Sequence, residues 1–210
     1  MYEWSYIQFM LKRTTNPGRP RSFDADEVLE RLIPVFFENG FMNTSFPQLE
    51  EAANLHRQSL RYAFGDKRGI FLAAVRRYGE SKTVEIKAIL KTSVTAIDGI
   101  RGVFAMWRAD ILRSKCRGCF LVSSAADRSF ALDTELLGAI NVTNQAIIAL
   151  LEATFGKARD EGDVESNQSD RQLAQHMLTT ADGVMALCQL PTTRETSVTI
   201  FDGFCAQLKS

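Results

Sequence analysis

Histidine and cysteine are scarce in this chain. There are two histidines and four cysteines in 210 residues. The cysteines (Cys116, Cys119, Cys188 and Cys205) are too few and too scattered for a disulfide framework, so a reduced, cytoplasmic setting is expected. No paired-histidine metal motif, Gly-rich phosphate loop or nucleophile elbow occurs. Neither a metal nor a cofactor is expected, and a helical enzyme is a disfavoured alternative. No stretch approaches the ~18 uncharged apolar residues of a membrane span. The first ten residues are apolar and aromatic, but they include Glu3 and have no basic segment ahead of them, unlike a signal peptide. A membrane partner is therefore not expected.

Net charge is also missing: 25 basic residues balance 25 acidic ones. This excludes a uniformly basic coat, but the balance is uneven along the chain. Lys12, Arg13, Arg19 and Arg21 have no acid among them, and Arg57, Arg61, Lys67 and Arg68 oppose Asp66 alone. Between these patches lie Asp24, Asp26, Glu27, Glu30, Glu38, Glu50 and Glu51. Nucleic-acid affinity would have to come from two local cationic patches.

What is present is a pattern between Thr44 and Lys67. Phe46, Leu49, Ala52 and Ala53 share one helix face, and Leu60 and Phe64 lie four apart on another. The turn Asn54-Leu55-His56 separates them. The second helix then keeps Arg57, Gln58, Ser59, Arg61 and Tyr62 for solvent. Two short angled helices, the second free to enter a major groove, make a helix-turn-helix. Arg can read guanine, Gln adenine and Ser either, so Arg57, Gln58 and Ser59 are candidates for base contact. Arg19 and Arg21, beside a Gly-Pro segment, suit a minor-groove or phosphate-contacting arm.

The remainder reads as helical, with no segment better suited to a strand. Helix 1 starts near Asp24 and carries Val28, Leu29, Leu32, Ile33, Phe36 and Phe37. Pro34 is expected to kink it, and Gly40 to cap it. Ser45 and Gln48 have capping-box spacing for helix 2, and Asp66 can cap helix 4. Further helices are expected over about 97–111, 119–127, 133–160, 171–189 and from about 194. The last two carry apolar stripes that could pair between subunits as a four-helix interface, with Asp182 or Arg194 at its rim.

The segments Gly18-Arg19-Pro20-Arg21, Phe36 to Ser45, Arg57-Gln58-Ser59-Leu60 and Ala63-Phe64-Gly65-Asp66-Lys67 together resemble the N-terminal domain of the TetR/AcrR family of bacterial regulators. Gly118-Cys119-Phe120-Leu121-Val122 resembles a segment of one branch. The resemblance implies an all-α homodimer. An arm (1–22) would precede a three-helix DNA-binding domain (23–66) and a larger C-terminal domain (67–210) that binds an effector and dimerises. It implies a transcriptional regulator of operator DNA, most simply a repressor released by a small molecule.

By the same resemblance Thr44 would meet a phosphate and Lys67 the DNA backbone. Ser45 and Gln48, the capping-box pair of helix 2, are counted with them as DNA-binding candidates. Arg61 stands where the family has a phosphate-contacting Tyr, and Tyr62 follows it, so either residue could make that contact. Asn54 replaces the usual Gly of the turn, and His56 replaces a Ser or Thr cap. In such a C-terminal domain, Phe104, Trp107, Ile111, Phe120 and Leu121 are candidates to line the effector cavity, although aromatic stripes are more often plain core. Cys116-Arg117-Gly118-Cys119 has the C-x-x-C spacing of redox and zinc sites but no second ligand pair. A thiol-sensing regulator using Cys116 and Cys119 is the alternative reading.

Overall fold

The computed structural model describes residues 23–112, 118–130, 132–190 and 193–207. The arm with Arg19 and Arg21, and the loop containing Cys116, lie outside the described residues. Among the described residues the chain is helical without strands: α1 (Ala25–Asn43), α2 (Phe46–Ala53), α3 (Arg57–Phe64), α4 (Lys67–Thr92), α5 (Ala96–Leu112), α6 (Phe120–Ala126), a 3-10 turn (Arg128–Phe130), α7 (Thr134–Asp160), α8 (Asp170–Leu187) and α9 (Arg194–Gln207).

Helix starts follow local chemistry. The Asp24 carboxylate accepts from the Asp26 and Glu27 N–H groups at the start of α1, and Asp66 accepts from Gly69 N–H at the start of α4. Asp133 and Ser169 do the same for α7 and α8. Each satisfies donors that the first turn leaves orphaned.

Helix α1 departs from expectation. Pro34 does not break it; the non-helical residue is Gly40, at φ 70 and ψ 171. Pro34 lies on the exposed face, where water can take up the hydrogen bond it removes. Gly40 adopts a left-handed φ that a side chain would resist, and the helical turn resumes through Asn43.

Two apolar clusters form the interior. One joins α1, α2, Leu60 of α3 and the first turns of α4. It also takes in Phe120, Leu121, Phe130, Leu136 and Ile140 from beyond α5. The second joins the far end of α4 to α5, α7 and α8. Helix α7 is apolar enough by composition to span a bilayer, with a mean hydropathy of 1.4. Here that apolarity serves packing against α4, α5 and α8.

Candidate DNA-binding surface

The turn between α2 and α3 is built from backbone conformation and one acidic side chain. Asn54 takes the left-handed conformation, φ 52 and ψ 44, which its short polar side chain tolerates. His56, at the N-cap of α3, makes no side-chain cap bond. Glu50 replaces it: its carboxylate accepts from the Arg57 peptide N–H at 2.6 Å. The same carboxylate sits 3.9 Å from the Arg57 guanidinium, which also stacks over the Phe46 ring at 4.6 Å. The acid thus caps the recognition helix and fixes the root of its first cation. Sequence reasoning missed Glu50. The available signal was a helix start with a poor cap, one turn across from an acid.

Leu60 is fully buried and anchors α3. Arg57, Gln58, Arg61 and Tyr62 are exposed and together border one shallow concavity, with Tyr62 at 73% exposure. Ser59 is partly buried. Four of the five expected α3 residues therefore form one open surface. A face with two guanidiniums, an amide and a phenol can donate to phosphate oxygens and base edges alike.

Thr44 and Lys67 are placed differently from what the resemblance implied. Thr44 is 1% exposed, and its hydroxyl donates to the Gly40 carbonyl at 2.7 Å. The Lys67 ammonium donates to the carbonyls of Phe41 (2.9 Å), Met42 (3.3 Å) and Thr44 (2.9 Å), and lies over the Phe41 ring. An ammonium has three donors, and all three are used. The end of α1 at Asn43 leaves these carbonyls without helical partners, and Lys67 satisfies them. In this arrangement Lys67 welds α4 to the end of α1, and its phosphate contact would require giving up one of these bonds. Gln48 reaches back to accept from the Ser45 N–H at 2.8 Å, completing that half of the expected box.

The cavity-lining candidates do not fall in one place. Phe104, Trp107 and Ile111 belong to the C-terminal cluster, whereas Phe120 and Leu121 belong to the cluster shared with the DNA-binding helices. Phe120 packs against Phe37, Phe71 and Tyr78, with ring centroids 5.4, 5.8 and 5.6 Å apart. Phe130 stacks on Phe71 at 4.9 Å. Ion pairs reinforce this junction. Arg68 grips Asp133 through two bonds of 2.9 Å, and Glu135 receives Arg68 at 3.0 Å and Arg76 at 2.7 Å. The start of α4 is therefore held to the start of α7. Backbone N–H groups and Arg68 keep the Asp133 carboxyl below its ordinary range.

The cysteines also differ from expectation. Cys188 is disulfide-bonded, while Cys119 is free, so Cys116 and Cys119 are not joined to each other. Burial pushes the Cys119 thiol up, against the low value that makes a cysteine reactive. No group of three potential metal ligands occurs among the described residues.

No family model matches the chain. It is 29% identical over 155 residues to an uncharacterized helix-turn-helix transcriptional regulator, YezE of Bacillus subtilis, covering 73% of this chain and 79% of that protein. It is 27% identical over 114 residues to the transcriptional repressor ComR of Escherichia coli, covering 53% and 54%. Among solved structures, a cysteine mutant of the TetR-family regulator CifR, complexed with a 26-bp double-strand operator, superposes with a TM-score of 0.69 and 24% identity over 90% of this chain and 98% of that one. A TetR-family regulator from Agrobacterium tumefaciens gives a TM-score of 0.76 at 14% identity, covering 88% and 97%. The chain thus has the fold of TetR-family regulators, and its sequence is similar to those of helix-turn-helix transcriptional regulators.

Proposed function

We propose that this protein is a homodimeric repressor that leaves its operator when a small molecule binds the C-terminal domain. The open face of α3 carries the reading: Arg57, Gln58, Arg61 and Tyr62 stand together, exposed, on a helix anchored by Leu60 and capped by Glu50. Each subunit lays α3 in a major groove, and a two-fold dimer reads a pseudo-palindromic site. The protein acts on DNA in the cytoplasm and needs neither cofactor nor membrane.

Release follows from two arrangements of unequal DNA affinity. An effector that prefers one of them shifts the population, and DNA must weaken effector binding by the same factor. The shared core favours this coupling. Phe120 and Phe130 reach from the C-terminal domain into the packing of α1 and α4, so a displaced α6 bears on both. The test is selection of a duplex from a random library, followed by binding measured against salt and against a metabolite library. The reading expects a tight site with a steep salt slope, released by at least one compound. A protein that selects no sequence refutes it.

A further inference from the structure

Arg57 holds the first position of α3. A cation is poorly placed there, because the first turn carries unpaired N–H groups and the positive end of the helix dipole. Two groups on α2 offset this. One Glu50 carboxylate oxygen accepts from the Arg57 peptide N–H at 2.6 Å, and the other lies 3.9 Å from Arg57 Nε. The Phe46 ring lies under the guanidinium, its centroid 4.6 Å from the central carbon.

A guanidinium has five N–H donors in a planar fork. Here the acid takes the Nε edge and the ring takes one face. Neither Nη nitrogen has a hydrogen bond to a described residue, and the side chain keeps 51% of its surface open. Arg57 also borders the concavity shared with Gln58, Arg61 and Tyr62. Arg61, one turn further along α3, is exposed and has no acid or ring against it among the described residues. The two arginines therefore differ in what they can do. A free arginine loses rotamer freedom when it binds, whereas one already held in place loses less. Guanine presents O6 and N7 side by side, which matches two parallel donors on a fixed fork. A phosphate accepts a cation in many geometries, so it makes no such demand.

We propose that Arg57 is the guanine-reading residue of this protein, with Glu50 and Phe46 as the positioning residues that present its two Nη groups, while Arg61 serves the phosphates. The inference rests on the DNA-reading role of α3 above and deepens it, naming the base and the groups that set specificity for it. Lysine in place of Arg57 would keep the charge and lose the planar fork. The charge of Glu50 fits the same scheme. Committed to Arg57 it is matched; without Arg57 it would face the DNA backbone as an unpaired anion and repel it.

The test uses the full chain and a duplex selected from a random library, in which each guanine in turn is replaced by 7-deazaguanine. That base keeps its pairing and loses the N7 acceptor. Affinity is read by fluorescence anisotropy at one salt concentration. With the parent protein, replacement of one guanine in each half-site is expected to weaken binding roughly tenfold, and in R57A that penalty should vanish. E50Q keeps an oxygen able to accept from the Arg57 N–H, so its urea midpoint should stay near the parental one while its penalty at that guanine falls several-fold. F46L, which keeps apolar bulk and loses the ring, should lower the penalty in the same way. A role confined to folding would instead weaken every duplex equally. Guanine penalties that all survive in R57A overturn the assignment, as does a selected duplex with no sensitive guanine; loss of a penalty in R61A instead leaves α3 a reading helix with the wrong residue named. Parental penalties in both E50Q and F46L overturn the positioning by α2. Failure to select any duplex defeats the DNA-reading role itself, and this assignment with it.

Discussion

Glu50 serves the helix backbone and the DNA-facing surface at once, because its carboxylate holds both the Arg57 N–H and the Arg57 guanidinium. E50A should cost about 1 kcal/mol of stability, the usual cost of a lost N-cap. It should also loosen Arg57 and weaken binding to a selected duplex. Urea unfolding and fluorescence anisotropy would show both, and an E50A protein with parental stability and affinity would remove Glu50 from the site. Asp182 is expected to behave oppositely. Burial raises its carboxyl from 3.8 to about 6, so the folded chain binds the proton more readily than the unfolded one. The cost is absent below about pH 4 and grows as pH rises through 6, reaching on the order of 2 kcal/mol near neutrality. D182N should therefore stabilise the protein near pH 7 and lose that advantage near pH 4, with the Cys119 thiol uncharged throughout. A gap between the two proteins that stays constant with pH contradicts this. Of these residues, the α3 face was legible from spacing alone. Glu50 and the structural role of Lys67 were not, because each acts on a partner across a turn or on another helix, and periodicity carries no such information.

At the scale of elements, apolar spacing and caps foretold where the α-helices lie, since the 3.6-residue period and the caps are both local, but not that α4 runs on from Lys67 to Thr92. The cap expected at Gly40 is where α1 leaves the helical conformation, while the kink expected at Pro34 does not interrupt it. Proline reads as the stronger breaker, but Pro34 faces solvent, whereas Gly40 supplies the conformation the chain needs before α2. Nor could apolar spacing say that α6 belongs to the packing of the DNA-binding helices, since the side of a core that an apolar residue joins is a tertiary property. Phe120 is 2% exposed and touches rings on α1 and α4. F120A should cost roughly 3–5 kcal/mol. Because that cavity opens inside the shared cluster, the DNA-binding helices and the C-terminal helices should still unfold in a single transition, at lower denaturant. Two separated transitions in F120A, followed by circular dichroism and by tryptophan fluorescence, would mean that Phe120 is the tie that couples them. An unchanged midpoint would mean that it carries no load.

For the whole molecule, the expected state is a dimer without DNA. Leu187, Leu190 and Ile200 leave 40%, 54% and 42% of their surface open at the end of α8 and on α9, an apolar exposure that a second subunit would cover. Light scattering at micromolar concentration should give twice the 23.5 kDa chain mass. A monomer there would leave a single α3 to read DNA, too little for a two-fold operator. Domain organisation was only partly legible. The division at residue 66 follows the turn into α4, but the interior does not divide there: the first cluster continues through Ile70, Phe71, Ala74 and Val75 of α4 and on to Phe130, Leu136 and Ile140.

Binding of a selected duplex and of a scrambled duplex, compared between the parent and the R57A/Q58A protein at one fixed salt concentration, tests the DNA-reading face most directly. If α3 reads base edges, each lost contact costs roughly 1–3 kcal/mol on the selected site, while the scrambled duplex, held through phosphates, loses far less. An equal loss on both duplexes, or none on either, would contradict the assignment of α3 as the reading helix.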